Sequence, residues 1–132
     1  MKHLEVVAAI LRYDGKVLCM ERGAGKYDYV SYKYEFPGGK IEPGEAKHAA
    51  LERELREEMN IRVTVREEDL YMTVRHEYPD FSITMYAFTC DMASPEFVRK
   101  EHVNHQWLRP EELPTLDLAG ADIPIMEKLA KG

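Results

Sequence analysis

Runs of apolar and β-branched residues in the first third of the chain predict three strands. Residues 3–12 and 16–22 are two such runs, and the short link 13–15, which contains Gly15, predicts a hairpin between them. After a polar loop, residues 29–36 have the pattern of a third strand, which ends at Pro37. We expect the glycine pair that follows, Gly38 and Gly39, to form a tight loop.

The next segment has the pattern of an amphipathic helix. Residues 45–59 contain no Gly or Pro, and Leu51, Leu55 and Met59 recur at intervals of four. Asn60 follows, and Asn is second only to Gly in its ability to adopt the left-handed conformation just past a helix end. The sequence therefore predicts a helix over 45–59 that buries one face and ends at Asn60.

The remainder of the chain alternates strand patterns with turn signals. We expect strands at residues 61–65, 71–77, 81–90 and 105–108, with a turn at 78–80. A helical turn is expected at 110–113 and a final helix at 123–130. Strands, one long helix, more strands and a last helix indicate a mixed sheet with helices packed on it, an α+β or α/β sandwich. The length of 132 residues fits one domain, residues 1–132.

Composition and charge narrow the classes of partner. The 18 basic and 24 acidic residues give a net charge of -6, which argues against binding a nucleic acid polymer. The longest apolar run, residues 6–11, is too short to cross a membrane or to form the core of a signal peptide, so we expect a soluble cytoplasmic protein that binds no membrane. Cys19 and Cys90 lie in strand-like runs and are predicted to be reduced core thiols. The sequence does not indicate an oligomeric state.

Three acidic residues share one face of the predicted helix. Glu54, Glu57 and Glu58 stand at i, i+3 and i+4, so their carboxylates repel one another. A divalent cation would remove this repulsion, and oxygen ligands without clustered His or Cys favour Mg2+ or Mn2+ over zinc. The alternative is a solvated helix face on which Glu and Arg support each other at i, i+4.

The spacing around these acids resembles a known signature. From Gly39 the chain reads GKIEPGEAKHAALERELREEMNI, with Glu45 after five residues, Arg53-Glu54-Leu55 after seven more, and then Glu57-Glu58. This resembles the Nudix box of the Nudix hydrolases, and the match favours the metal site over the solvated face. One fixed position departs, because Asn60 stands where the family has Gly. Asn meets the same demand for a left-handed residue.

The resemblance extends beyond the box to most of the chain. The segments VVAAILR, YEFPGGKIEPGE, HEYPDFSITMYAF and ADIPIMEKL look like those of the MutT-like nucleoside triphosphate pyrophosphohydrolases. The resemblance implies the Nudix α/β/α sandwich and an enzyme that converts a nucleoside triphosphate and water to the monophosphate and pyrophosphate with Mg2+ or Mn2+. The alternatives are an ADP-ribose-type diphosphatase and a non-catalytic nucleotide-binding module.

By resemblance, the box residues hold the metal. Glu54, Glu57 and Glu58 would be ligands, together with the carbonyl of Gly38. Glu45 would pair with Arg53, which belongs to the expected catalytic set, and brace the loop against the helix. The alternative for Glu45 is an acid at the helix N-terminus, where the helix dipole favours it.

Residues outside the box are candidates for the remaining roles. The general base is left open between Glu54 and Glu101, which matches a downstream acid of MutT-like enzymes; Glu101 is a metal-site ligand, an auxiliary base or a surface acid. Arg22 and Lys40 are candidate phosphate contacts or solvated charges. We expect His102 and His105 to have a surface or packing role rather than to bind zinc.

Asp122 bears on the identity of the substrate. It precedes the predicted last helix, where Asp is a favoured N-cap residue, so capping is one interpretation. In MutT-like enzymes the matching position contacts the base, and a carboxylate can accept a hydrogen bond from the N4 amine of cytosine. The ADIP context resembles the CTP pyrophosphohydrolase branch. This favours a CTP or dCTP substrate over 8-oxo-dGTP.

Overall fold

The computed structural model describes residues 1–132 and contains a seven-stranded mixed sheet with two α-helices. The elements in chain order are β1 Lys2–Tyr13, β2 Lys16–Glu21, β3 Tyr34–Glu35, β4 Gly38–Lys40, α1 Lys47–Met59, β5 Leu70–Glu77, β6 Phe81–Asp91, β7 Asn104–Leu108 and α2 Ile123–Ala130. Short 3-10 turns occupy Glu67–Asp69, Pro110–Thr115 and Gly120–Asp122. The two predicted hairpins, the last strand and the final helix are confirmed.

The strand β1 is the centre of the sheet. One of its edges pairs in parallel with β6 over all but its last residue, from Lys2 opposite Phe81 to Arg12 opposite Asp91. The other edge is divided between two antiparallel neighbours, β4 at Val6–Ala8 and β2 near the end of the strand. Because β4 and β2 pair with different parts of the same edge, the sheet divides into two branches at this point. In one branch β2 also pairs with β3 and β7.

Side chains of β1 alternate between two separate cores, one on each face of the sheet. Val6, Ala8 and Ile10 face the core that also contains Ile125 of α2. Val7, Ala9 and Leu11 face the core that contains three predicted helix residues, Leu51, Leu55 and Met59. A helix therefore covers each face, which confirms the α/β/α sandwich.

The helix α1 begins two residues later than predicted and ends as expected. Asn60 has a φ of 54°, in the left-handed region, and its N–H donates to the Arg56 carbonyl at 3.2 Å, while the N–H of Ile61 donates to the Leu55 carbonyl at 3.1 Å. The residue therefore terminates the helix in the way that the sequence predicted for a residue replacing Gly.

The prediction of a strand over residues 29–36 is largely wrong, because only Tyr34–Glu35 forms one. The preceding residues fold into a turn-rich loop. In that loop the Ser31 hydroxyl accepts the N–H of Gly25 and donates to the Tyr27 carbonyl, at 2.8 Å each. Tyr29 stacks on Tyr78 instead of pairing in a sheet. Tyr29 is thus partly buried by ring packing and not by strand alternation, whereas Tyr32 is exposed.

Two other expectations about local structure are also wrong. Gly38 and Gly39 do not form a loop, because they belong to β4 and pair with Ala8 and Val7 of β1. Residues 61–65 are not a strand, since no strand of the sheet pairs with them. The side chain of Glu52 accepts the N–H of Val65 at 2.7 Å and takes the place of a strand partner.

Cys19 and Cys90 are free and buried, as predicted. They belong to different cores, so the sheet lies between them. Burial is the largest cause that raises the pKa of each thiol to about 12. No helix has both the length and the apolar character needed to span a membrane.

Candidate active site

A cleft of about 750 Å³ lies on the face of the sheet that α2 covers. Its apolar floor is formed by side chains of β1 and β6, and its polar wall contains many of the predicted site residues. The floor includes Leu4, Val6, Ala8, Ile83 and Met85, and the predicted residues in the wall are Arg22, Gly38, Gly39, Lys40, Glu54, Glu58, Glu101 and Asp122. The structure therefore brings eight of the eleven predicted site residues to one cavity.

The other three, Glu45, Arg53 and Glu57, form the network beside it. Arg53 donates to both carboxylate oxygens of Glu45, at 2.7 and 3.0 Å, and from Nη1 to Glu54 at 3.0 Å and Glu57 at 3.2 Å. Its Nη2 also donates to the Lys40 carbonyl at 3.0 Å. One guanidinium thus joins the loop after β4 to two of the three acids on α1.

The predicted pairing of Glu45 with Arg53 is therefore confirmed, and the interpretation of Glu45 as a helix N-terminal acid is wrong. The helix begins only at Lys47, and Glu45 directs its carboxylate to Arg53 and to the N–H of Glu42. The hydrogen bond from Arg53 is the largest cause that lowers the pKa of Glu45, to about 2.

Glu54 is more enclosed than Glu57. Its side chain is only 16% exposed, against 48% for Glu57. Burial raises the pKa of Glu54, and the charges of Glu58 and Glu57 add to this effect, while the contact with Arg53 opposes it. The carboxylate also lies against Gly39, where a Cβ atom would overlap it. Gly39 is therefore needed for the close approach between β4 and this acid.

The chemistry of these donors fits a hard divalent cation. Glu54 and Glu58 repel each other at the cleft wall, and both supply carboxylate oxygens, the ligands that Mg2+ prefers. Gly38 and Glu101 line the same cavity and could supply a carbonyl and a further carboxylate. In this structure the acids do not converge into a group of three metal ligands.

Asp122 is another acid of the cleft lining, and it is buried, with 2% of its surface exposed. It makes no side-chain capping bond to α2, so the capping interpretation is wrong. Its Oδ1 instead accepts the N–H of Phe36 at 3.0 Å. Burial, followed by the nearby charge of Glu35, raises the pKa of Asp122 well above its ordinary value.

Glu35 and His102 also line the cleft, and neither was predicted as a site residue. His102 lies 2.9 Å from the carboxylate of Glu35, and the side chains are 12% and 23% exposed. Arg22 lies 3.8 Å from the same carboxylate. His102 therefore has the expected packing role, through its contact with Glu35, and it also lines the cavity. Its position next to Glu101 was the only signal in the sequence that pointed to the site.

The cleft has an apolar floor, and its lining includes four Lys or Arg residues and six carboxylates. A cation could neutralise the excess of carboxylates. A polyanion with an apolar end fits such a cavity, with its anionic end at the helix acids and its apolar end on the floor.

Comparisons with known proteins agree with this description. A family model described as "NUDIX domain" matches residues 6–128. The chain is 40% identical over 127 residues to CTP pyrophosphohydrolase of Escherichia coli strain K12, covering 96% of this chain and 91% of that protein. It is 32% identical over 131 residues to 8-oxo-dGTP diphosphatase of the same strain, with 99% of each chain covered. The crystal structure of MutT protein from Methanosarcina mazei Go1 superimposes with a TM-score of 0.85 at 21% identity, covering 98% and 94% of the two chains.

Proposed function

Because the chain belongs to the NUDIX domain family and is a nucleotide pyrophosphohydrolase of that family, we propose that it converts CTP or dCTP and water to the monophosphate and pyrophosphate with Mg2+. The proposal rests on one observation above the others. The carboxylates of Glu54 and Glu58 line the same cleft as the buried carboxylate of Asp122. A single nucleotide can therefore contact a cation at one end and a base-recognising acid at the other.

Divalent metal ions are generally used by this family. In this chain Glu54, Glu57 and Glu58 would hold Mg2+ or Mn2+, together with the Gly38 carbonyl and with Glu101. When bound, the ion neutralises charge that develops on the phosphoryl oxygens.

The chain's own residues bind and orient the substrate. Arg53 keeps Glu54 and Glu57 in fixed positions, and it is anchored in turn by Glu45. Arg22 and Lys40 line the cleft, and in this proposal they contact the phosphates of the substrate. Glu54 or Glu101 accepts the proton of the attacking water, since each lines the cavity where that water must lie.

Asp122 supports the preference for cytosine. With Oδ1 engaged by Phe36, the second oxygen is the group that can meet a ligand. In its ionised form this oxygen accepts a hydrogen bond from the N4 amine of cytosine. The relative named CTP pyrophosphohydrolase is also more similar to this chain than the 8-oxo-dGTP diphosphatase of the same organism is.

A panel of nucleotides tests the proposal. Canonical and oxidised nucleoside triphosphates, and ADP-ribose, are incubated with the protein and Mg2+, and pyrophosphate and orthophosphate are measured separately. We expect pyrophosphate as the first product and the highest kcat/KM with CTP or dCTP. The highest value with 8-oxo-dGTP or ADP-ribose would contradict the substrate assignment. Nucleotide binding without any turnover would favour a non-catalytic binding module.

A further inference from the structure

The loop that carries Glu101 has no regular structure, yet both of its ends are fixed by backbone hydrogen bonds. At the start, the N–H of Val98 donates to the carbonyl of Met59, the last residue of α1, at 3.0 Å. At the end, the N–H of Val103 donates to the Glu21 carbonyl at 2.9 Å. Glu101 lies between these ends with an exposed side chain at the cleft. The backbone bonds leave the middle of the loop to be held by side chains.

One side-chain anchor joins this loop to the end of α1. The Nζ of Lys100 donates to the Glu57 carbonyl at 2.9 Å and to Oδ1 of Asn60 at 3.1 Å. Carbonyls in the last turn of a helix lack intrahelical partners and attract cations, so Lys100 satisfies an acceptor that the helix leaves free. A glycine at position 60 would end the helix equally well but would offer no side-chain oxygen to Lys100.

A second anchor lies on the other side of Glu101. His102 contacts Glu35 of β3 at 2.9 Å, and both side chains are largely buried. Glu101 is therefore the exposed residue between two neighbours, one attached to the helix that carries the acids and one attached to the sheet. Fixing both neighbours limits the positions that the Glu101 carboxylate can reach, which is the condition for a preorganised site.

We propose that Asn60 and Lys100, together with the His102–Glu35 contact, are positioning residues that hold Glu101 beside Glu54 and Glu58. The proposal rests on the proposed function, because Glu101 needs a metal or a reacting water to act on. It also assigns a role to Asn60 that the glycine of the family signature cannot perform.

Removal of the helix anchor tests the proposal. Asn60→Gly keeps a residue suited to the left-handed conformation, and Lys100→Met keeps the length of the side chain. For each variant we expect kcat to fall about tenfold, with a higher Mg2+ requirement and a change of less than about twofold in nucleotide KM. Lys100→Arg retains a cationic donor and should recover most of the activity. Lys128→Met is the matched control, because Lys128 also donates to a backbone carbonyl, that of Tyr71 at 2.9 Å, on another part of the surface.

A double-mutant cycle then shows whether the anchor acts through Glu101. In a Glu101→Gln background, Asn60→Gly should change kcat by less than about twofold. An equal loss of kcat in both backgrounds, or full activity of Asn60→Gly alone, overturns the proposal. Mn2+ binding to the nucleotide-free protein, followed by paramagnetic resonance, gives a second measurement. We expect Asn60→Gly to weaken Mn2+ binding and Lys128→Met to leave Mn2+ binding unchanged.

The two measurements separate this proposal from the proposed function. If the wild type hydrolyses none of the nucleotides tested, the proposed function fails. In that case an Mn2+ affinity that is the same in the wild type and in Asn60→Gly would independently overturn the positioning role.

Discussion

Substitution of Asp122 tests the buried acid of the cleft most directly. Asp122→Asn keeps an oxygen at the position that accepts the Phe36 N–H, whereas Asp122→Ala removes it. Neither replacement can ionise. The difference between the two variants therefore isolates the hydrogen bond, and the difference between the wild type and Asp122→Asn isolates the buried charge.

The size of the first difference follows from the loss of one acceptor. In Asp122→Ala the N–H of Phe36, a residue that is 3% exposed, has no partner, and an unsatisfied buried donor costs about 1–3 kcal/mol. For 132 residues the entropy of unfolding is about 280 cal/mol/K, so each kcal/mol lowers Tm by about 4 °C. We expect Asp122→Ala to melt about 4–11 °C below Asp122→Asn at every pH.

The second difference depends on pH. The pKa of Asp122 is raised in the folded protein above its ordinary value of 3.8, so the folded state holds the proton more tightly than the unfolded chain does. The wild type should therefore lose stability relative to Asp122→Asn as the pH rises from about 3.8 through the raised pKa. Below that window Asp122 is protonated in both states, and its charge has no effect on stability.

Thermal unfolding of the three proteins between pH 3.5 and 8, roughly the window given by linkage, measures both differences. The same proteins are assayed for kcat/KM with CTP and 8-oxo-dGTP. Asp122→Asn should lose about 1–3 kcal/mol of discrimination in favour of CTP, because an amide nitrogen replaces the accepting oxygen. A wild type that gains stability over Asp122→Asn with rising pH would refute the reasoning about the buried charge. Unchanged discrimination would refute base recognition by this residue.

Three further substitutions test the carboxylate network. Glu57→Gln should lower kcat by at least about 100-fold at saturating Mg2+. It should change Tm little, because relief of the like-charge repulsion offsets the weakened contact with Arg53 at this half-exposed side chain; wild-type turnover would exclude a role in metal binding. Gly39→Ala places a Cβ atom against the Glu54 carboxylate and should weaken Mn2+ binding, whereas Gly25→Ala, which meets only an ordinary contact, should not; equal effects would contradict the close-approach argument. The pKa of Glu45 is lowered in the folded protein from 4.5 to about 2. The ionised carboxylate therefore stabilises the fold above about pH 4.5, and this stabilisation is lost as the pH falls towards 2. Glu45→Gln should therefore lower Tm at pH 7 but not at acid pH, in parallel melting curves.

The sequence predicts best the elements whose side chains alternate between a core and solvent or between two cores. The limits of β1 and β6 agree with the prediction to within one residue at each end. The helix α1 was found from the repeat of Leu51, Leu55 and Met59, all of which are buried. The end at Asn60 was predictable because few residues adopt a left-handed conformation at low cost.

The errors share a physical cause. Apolar runs such as 29–36 and 61–65 indicate burial, but burial does not show whether another strand lies alongside to complete the hydrogen bonds. Functional contacts between distant residues were equally invisible. Asp122 bonds a backbone group 86 residues away, so the local pattern suggested a helix cap where none exists. The His102–Glu35 contact spans 67 residues and leaves no trace in spacing.

The two cysteines determine how this protein can be labelled. Cys19 and Cys90 lie in different cores, and burial keeps the pKa of both thiols near 12, so almost no thiolate is present at neutral pH. Thiol-directed reagents should leave the folded wild type unmodified. A single cysteine introduced at Val98 or Val103, whose exposures are 45% and 51%, would then be the only reactive thiol. The native chain can therefore carry one fluorophore or spin label next to the Glu101 loop without prior removal of its own cysteines.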